Sequence, residues 1–296
     1  MQKIGIIGAG KVGTTLGKYL FEENLKNATL CGYYSRSMSS SEFASKFTNS
    51  AQFNNLKKLI EKSTILIITT PDDEISNVWN EVSKNNIQNK IVCHLSGSLS
   101  SEIFFNASSK GASVCSMHPL MAINSKTDSY KNMNSTYFTL EGDKIATDIM
   151  SEILDEKGNR YKIIQSENKV KYHMASVFMS NLVVGLSKIS FDLLEECGFS
   201  QKDSINAIKT LSTGNVNSIF EYGLEKSLTG PVERNDIETV RKHLNSIASN
   251  SDMKRYELDY VKAVYRSLSK AILEIAEKKY PNRDYSPMKK LLDQKI

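Results

Sequence analysis

The chain has 296 residues, enough for two domains with separate apolar cores. A net charge of +5, with acids and bases interspersed, argues against a nucleic-acid surface, and four cysteines without C-x-x-C spacing indicate neither a metal site nor a disulfide framework. Because no apolar run approaches the ~20 residues that span a bilayer and no secretory signal is visible, we expect a cytoplasmic protein without membrane contact.

Short β-branched segments alternate with amphipathic helical segments in the first part of the chain. Strands are predicted over residues 3–7, 29–34, 65–69, 91–95, 113–117, 136–141 and 160–165. Helices are predicted over residues 11–23, 56–62, 73–84 and 143–156, and residues 37–41 form a predicted serine-rich loop. This alternation predicts an α/β fold with a Rossmann-like, doubly wound parallel sheet.

The strand signals stop near residue 166. Helices are predicted over residues 167–197, 200–211, 216–226, 236–247 and 252–278. The composition shift therefore predicts a sheet domain over residues 1–165 and an all-α domain over residues 166–296.

The first predicted strand leads directly into a glycine-rich turn and a helix. The turn consists of Gly8, Ala9, Gly10, Lys11, Val12 and Gly13. This G-x-G-x-x-G spacing permits a tight turn, a close approach of a pyrophosphate and close packing of helix on strand. Free amides at the helix N-terminus also attract an anion. We predict that these residues bind a dinucleotide; the alternative is an ordinary glycine turn.

The end of the second predicted strand indicates which dinucleotide binds. NAD-binding domains carry an acid there, roughly 20 residues after the glycines, for the ribose 2′-hydroxyl. This chain has Ser35, Arg36 and Ser37 instead, and its next carboxylate is Glu42. Hydroxyls and a guanidinium bind a 2′-phosphate through charge-assisted hydrogen bonds, so we predict NADP (NADPH). The alternative is that Arg36 is a solvated loop residue.

Three further strands end in polar residues at the same predicted sheet edge. Thr69, Thr70 and Pro71 follow one strand, where the nicotinamide end of the cofactor passes, and Asp72 or Asp73 is predicted only to cap the next helix.

The other two strand ends carry histidines and serines. One has His94, Ser96 and Ser98, and the other has Ser116 and His118. Such groups bind a substrate oxygen or transfer a proton, and we expect Ser96 and His118 to belong to the site. The alternatives are a serine that caps a helix and a histidine paired with backbone.

The segment KYHMASVFMSN, residues 171–181, places polar side chains on an otherwise apolar helix. At about 100° per residue, His173, Ser176, Val177 and Ser180 fall within an arc of about 100°, with Asn181 at its margin. If this strip faces the nicotinamide, His173 exchanges the substrate proton and Asn181 holds a carbonyl or carboxylate. The alternative is a buried histidine with small serines that ease helix packing.

The segment LTGPVERND, residues 228–236, predicts a rigid turn before a helix. Asp236 is the expected N-cap, with Thr239 at the third helical position. Arg234 then either binds a substrate carboxylate or pairs with a neighbouring acid, and the sequence leaves both open.

Taken in order, IGIIGAGKVG, YSRS, HLSGS, MHPL, YHMASVFMSN and LTGPVERND resemble a family that joins a Rossmann-like N-terminal domain to a helical C-terminal domain long labelled as of unknown function. The family looks related to ketopantoate reductases, pyrroline-5-carboxylate reductases and β-hydroxyacid dehydrogenases. This resemblance implies NADP-linked hydride transfer in a cleft between the domains and a homodimer formed through the helical half.

The chain departs from the related patterns at two positions. The catalytic lysine four residues before the asparagine is Val177 here, which makes His173 the expected proton donor. The usual Arg-Gly-Asp after the Thr-Gly-Pro turn is Arg234, Asn235 and Asp236.

These observations predict an NADPH-dependent reductase of a small 2-oxo acid, with ketopantoate as the favoured substrate. The alternatives are an imine reductase of the pyrroline-5-carboxylate type and a non-catalytic NADP-binding sensor or scaffold. No nucleic-acid partner is expected.

Overall fold

The computed structural model describes residues 1–23, 25–248 and 255–294. The chain divides into two compact units, Met1–Val183 and Val184–Ile296. The boundary predicted from composition lies earlier, near residue 166. The first unit extends past that point because Lys169 and Tyr172 hydrogen-bond to residues at the ends of the strands.

The first unit is built on one eight-stranded sheet. Its strands are β1 (Gln2–Ile7), β2 (Ala28–Tyr34), β3 (Ala51–Phe53), β4 (Ile65–Ile68), β5 (Ile91–His94), β6 (Ser113–Pro119), β7 (Phe138–Gly142) and β8 (Tyr161–Ile163). They lie side by side in the order β3-β2-β1-β4-β5-β6-β7-β8. The order reverses at β1 and β4, which is where open α/β sheets bind their ligands.

Helices cover both faces of this sheet. They are α1 (Lys11–Phe21), α2 (Met38–Thr48), α3 (Leu56–Lys62), α4 (Asp72–Val82) and α5 (Lys144–Glu156). A further helix, α6 (Lys169–Phe178), follows β8. Alternate residues of β4 point to opposite faces: Ile65 and Ile67 join one buried apolar cluster, and Leu66 and Ile68 join the other. The predicted α/β, doubly wound fold is confirmed.

Two details of the sheet differ from the prediction. β7 runs antiparallel to β6, because their connection holds only the 3₁₀ segment Ser129–Ser135 and lacks the crossover helix that parallel pairing requires. The predicted loop at residues 37–41 is also wrong, since α2 begins at Met38 and leads into β3. The hydroxyl oxygen of Ser37 accepts a hydrogen bond from the Ser40 amide and caps α2.

The described elements of the second unit are helical. They are α7 (Asn181–Glu196), which begins in the first unit, α8 (Gln201–Tyr222), α9 (Leu224–Ser227), α10 (Ile237–Ala248), α11 (Arg255–Lys279) and α12 (Ser286–Asp293). α12 was not predicted. The predicted start of the last long helix, residues 252–254, lies outside the described residues.

Two predicted helix boundaries are wrong. The single helix over residues 167–197 is divided at Met179 and Ser180, where the Ser180 amide reaches only to the Val177 carbonyl and its hydroxyl donates to the Ser176 carbonyl. Such side-chain bonds compete with the regular backbone pattern. The opposite occurs in α8, where the predicted break at residues 212–215 is absent: Ser212 and Thr213 donate to carbonyls one turn earlier, and the helix continues.

Many large apolar side chains of α6, α7 and α8 are exposed. They include Val170, Met174, Phe178, Leu182, Val184, Leu186, Leu211 and Phe220. Among the described residues, the stretch Ser166–Glu196 is long and apolar enough to cross a membrane by length and composition alone, with none of its most apolar window buried. The absence of membrane contact therefore stays a prediction.

Candidate functional site

A cleft of 680 Å³ lies at the carboxyl edge of β1, β2 and β4. Most of the predicted cofactor residues line it: Gly8, Ala9, Gly10, Ser35, Arg36, Thr69, Thr70 and Pro71. Lys11, Val12, Gly13 and Ser37 lie outside its lining.

The three glycines of the turn have the geometry that a pyrophosphate requires. Gly8 adopts a φ of +107°, and a Cβ on Gly13 would lie 2.3 Å from the Gly8 carbonyl oxygen. A Cβ on Gly10 would meet nothing within 4 Å, so the backbone is open to a ligand there. The hydroxyl of Thr70, on the cleft wall, is buried without a hydrogen-bond partner among the described residues. These features fit a dinucleotide phosphate group.

Arg36 lies at the rim of this cleft. Its side chain is 76% exposed and forms a 3.1 Å ion pair with Glu74. An exposed pair of this kind contributes little to stability, so the guanidinium is available to a 2′-phosphate. Its role in cofactor choice stays a prediction.

At the end of β5, the side chains of His94 and Ser96 hold the turn together. His94 is fully buried; its Nδ1 accepts from the Ser96 amide at 3.1 Å, so its Nε2–H donates to the Ser100 carbonyl at 3.2 Å. Burial lowers the pKa of His94 to about 4. The Ser96 hydroxyl donates to Asp72 at 2.6 Å and accepts from the Leu99 amide. Direct substrate contact by Ser96 stays a prediction.

The prediction that Asp72 or Asp73 caps α4 is wrong. The residue before α4 is Pro71, which makes no side-chain cap. The carboxylate of Asp72 instead accepts hydrogen bonds from Ser96 and Ser98, at 2.6 and 3.0 Å. It thereby ties the end of β4 to the end of β5.

The rings of His118 and His173 approach each other beside Gly97. A Cβ added to Gly97 would lie 2.6 Å from His173 Nδ1 and 2.9 Å from His118 Nε2, so these two nitrogens are at most 5.5 Å apart, the sum of the two distances. His118 Nδ1 is 2.7 Å from the Tyr172 hydroxyl, which fixes its ring. His173 Nδ1 is buried and has no partner among the described residues. A buried nitrogen without a partner is a candidate for ligand contact.

Burial determines the protonation states of His118 and Tyr172. It lowers the pKa of His118 to about 4, with a smaller contribution from the positive charge of Lys169. His118 is therefore neutral near pH 7. Burial also raises the pKa of the Tyr172 hydroxyl, which stays protonated.

Lys169 is a site residue that the sequence reading missed. It is 1% exposed, and its Nζ donates to the Ser96 carbonyl at 2.8 Å and to the Ser116 hydroxyl at 3.1 Å. Burial lowers its pKa, and the negative charge of Glu141 opposes that shift. The sequence contained one indication that Lys169 belongs to the site: it precedes His173 by four residues and so lies on the same face of the helix.

The predicted polar strip on the helix exists only in part. The hydroxyls of Ser176 and Ser180 donate to backbone carbonyls at 2.7 Å, which leaves them no proton for a ligand. Because the helix is broken at residues 179–180, Asn181 begins α7 and is exposed. His173 is the member of the strip that reaches the strand ends.

In the second unit, the loop before α10 is held by Glu233. Its carboxylate accepts from Lys279 and Tyr280, and its carbonyl accepts from Arg283 and Tyr285. Arg234 is exposed beside these contacts. A substrate-binding role for Arg234 stays a prediction.

The loop between α9 and α10 keeps both of its predicted features, a helix cap and a tight turn. Asp236 caps α10 as predicted, since its carboxylate accepts from the amide and hydroxyl of Thr239. Asn235 has a φ of +60°, the left-handed conformation that glycine adopts readily and asparagine tolerates. The replacement of the family's glycine by Asn235 therefore preserves the turn.

Residues 1–119 match the family described as a Rossmann-like domain, and residues 136–272 match the domain of unknown function DUF2520. The chain joins a Rossmann-like domain to a DUF2520 domain. This confirms the predicted joining of a Rossmann-like domain to a helical domain of unknown function. The relation to ketopantoate reductases stays a prediction. A search of curated proteins finds no match.

Solved structures share this fold over nearly the whole chain. Protein TM1727 from Thermotoga maritima is 25% identical, with a TM-score of 0.72, over 93% of this chain and 99% of that one. A candidate NADP oxidoreductase from Bacteroides fragilis is 18% identical, with a TM-score of 0.70, over 92% and 98%. The NADP-bound pyrroline carboxylate reductase from Plasmodium falciparum is 17% identical, with a TM-score of 0.56, over 92% and 98%.

Proposed function

We propose that this Rossmann–DUF2520 protein is an NADP-dependent oxidoreductase that reduces a C=O or C=N group of a small carboxylate. The observation that carries the proposal is the pair of histidine nitrogens over Gly97, at the carboxyl edge of a sheet whose glycine turn fits a dinucleotide. The names of the similar Bacteroides and Plasmodium proteins support a nicotinamide cofactor.

The residues of the turn and of the β2 end would hold the cofactor. Gly8, Gly10 and Thr70 would contact the pyrophosphate, and Ser35 and Arg36 the 2′-phosphate. Bound NADPH supplies a hydride to the substrate carbon. The chain itself has to bind the substrate, exclude water and deliver a proton to the atom that becomes the hydroxyl or amine.

His173 is the proposed proton donor. Its buried Nδ1 has no partner among the described residues and faces the space over Gly97, as a group that exchanges a proton with a ligand must. His118, neutral and oriented by Tyr172, would hold the same substrate atom by a hydrogen bond. Asn181 and Arg234 remain the proposed anchors of the substrate carboxylate.

Within this class, our specific proposal is a 2-oxo acid, with ketopantoate as the favoured substrate. A cyclic imine of the pyrroline-carboxylate type is the second candidate, favoured by the fold shared with the Plasmodium reductase. The two differ in whether the protonated atom is oxygen or nitrogen.

NADPH oxidation tested against a panel of 2-oxo acids and cyclic imines decides between these candidates. Turnover of oxo acids alone supports the first, and turnover of imines alone supports the second. NADPH binding without turnover of any compound, unchanged in His173→Ala, would contradict both and indicate a cofactor-binding sensor or scaffold.

We also propose a cytoplasmic homodimer formed through the helical half of the chain. The exposed apolar side chains on α7 and α8, such as Leu186 and Leu211, support a covered surface there. Sedimentation analysis at micromolar concentration should show twice the monomer mass. A monomer that binds lipid vesicles would contradict the dimer and favour membrane attachment.

A further inference from the structure

The side chain of Lys169 is a buried cation whose two hydrogen-bond acceptors are both uncharged. It is 1% exposed and contacts the Ser96 carbonyl and the Ser116 hydroxyl. Burying an ammonium group is costly unless its hydrogen bonds are well made. An apolar residue of the same length would fill this space without that cost, so the contacts themselves must be what Lys169 provides.

The direction of these hydrogen bonds is fixed by Glu141. The Ser116 hydroxyl gives its one proton to Glu141 Oε2 at 2.9 Å, so its oxygen can only accept from Lys169. Glu141 is itself held by the amide and hydroxyl of Ser101, at 2.8 and 2.7 Å. The result is a buried chain of bonds from Ser101 through Glu141 and Ser116 to Lys169, which joins β7 and β6 to the first residue of α6.

Lys169 shares one face of α6 with Tyr172 and His173, which follow it by three and four residues. Its Nζ lies 5.9 Å from the centre of the Tyr172 ring, whose hydroxyl contacts His118. Lys169 also holds the carbonyl of Ser96, the residue before Gly97. Lys169 therefore belongs to the helix that carries His173 and also contacts the turn that His173 faces.

We propose that Lys169 is the positioning residue of this site: its buried ammonium fixes α6 to the turn at Ser96 and Gly97 and so sets the distance between His173 and His118. The role rests on the proposed function for its effect on turnover, because Lys169 is buried and acts through the two histidines. Its effect on the geometry of the histidines does not depend on which substrate is used.

The test compares Lys169→Met with Lys171→Met, a matched loss of an exposed lysine on the same helix. In Lys169→Met we expect turnover to fall roughly 10- to 100-fold, because misplaced catalytic groups cost about that much, while NADPH affinity changes less than about two-fold. Lys171→Met should leave both unchanged.

A second readout, the NMR titration of the His118 ring, needs no substrate. The groups that act on His118 are Lys169, His173, His94 and Asp72 by charge, and Tyr172 by a hydrogen bond. Removing the Lys169 charge should raise the His118 pKa and shift the ring signals of both His118 and His173. His118 and His173 signals unmoved in Lys169→Met, or moved equally by Lys171→Met, would overturn the proposal.

If Lys169→Met does not fold, the same measurements are made on the milder variant Ser116→Ala. It removes one of the two acceptors of Lys169 and keeps its charge, so we expect a smaller fall in turnover and smaller shifts of the His118 and His173 signals, without the rise in the His118 pKa that loss of the charge causes. Full activity with unmoved signals in that variant would overturn the proposal. A wild-type protein that turns over no substrate would contradict the proposed function, and the NMR comparison would still decide the role of Lys169.

Discussion

Among single residues, Gly97 has no room for a side chain beside the two histidines. A methyl group there would collide with the facing nitrogens of His173 and His118, at 2.6 and 2.9 Å. We expect Gly97→Ala to lower turnover roughly 10-fold or more, because the rings must move from the substrate atom. NADPH affinity should stay the same, since Gly97 lies outside the cleft lining. Steady-state kinetics and an NADPH titration measure the two effects.

Gly214→Ala is the matched control. A Cβ at this position in α8 would meet nothing within 4 Å. Turnover should be unchanged, and the free energy of unfolding should rise by up to about 1 kcal/mol, because alanine is the better helix former. An equal loss of turnover in both variants would show that Gly97 has no special place in the site.

Arg36 is the residue on which the choice of NADP depends. Arg36→Ala should weaken NADPH binding about 10- to 100-fold, the effect of losing hydrogen bonds to a charged group, and leave NADH binding nearly unchanged. Fluorescence titration with both cofactors measures the difference. Lys46→Ala, which removes an exposed cation from α2, is the control and should affect neither. Equal weakening of NADPH and NADH by Arg36→Ala would contradict the assignment.

The sequence predicted which residue types form the site more successfully than it predicted their contacts. The glycine turn could be found because its spacing is diagnostic, and the two strand-end histidines could be found because they follow predicted strands. The roles of Lys169 and Asp72 could not, because both contact Ser96 in the turn after β5, which is 73 and 24 positions away in the sequence. A charged side chain that is buried or paired in this way has no periodic pattern that reveals it.

At the scale of whole elements, the strands and the larger helices followed from hydrophobic periodicity, and the errors occurred where side chains bond to backbone. Ser180 donates to the Ser176 carbonyl beside the break between α6 and α7, whereas Ser212 and Thr213 make similar bonds inside an unbroken α8. The same residue types thus accompany both outcomes and do not by themselves determine where a helix ends. Sequence patterns alone therefore misplaced both boundaries.

The turn before α10 allows a direct test of backbone conformation. Asn235 has a φ of +60° and donates to the Asp284 carbonyl. Asn235→Gly and Asn235→Ala both lose that bond, but only alanine is strained in the left-handed region. We expect the glycine variant to be more stable by about 1 kcal/mol in urea unfolding. Equal stability of the two variants would mean that this conformation does not contribute.

For the whole molecule, the buried histidines predict a loss of stability in mild acid. The folded pKa values of His94 and His118 are about 4, below the value of about 6.5 in an unfolded chain. The unfolded state therefore binds more protons between these pH values, and the free energy of unfolding falls as the pH drops from about 6.5 to 4, by at most about 3 kcal/mol for each histidine.

Urea unfolding at pH 7 and pH 4.5 measures this loss. The variant His94→Phe, which cannot titrate, should lose less stability between the two pH values than the wild type. A wild-type free energy of unfolding that is constant over this window would contradict the burial of these neutral histidines.

The proposed reaction depends most on His173 facing the reactive end of a bound coenzyme. Its most direct test is single-turnover oxidation of NADPH by His173→Ala, with the substrate found in the panel, beside an NADPH titration of the same variant. We predict a rate lower by roughly 10²-fold or more with NADPH affinity nearly intact. An unchanged rate, or a loss of NADPH binding in place of a slower reaction, would contradict it.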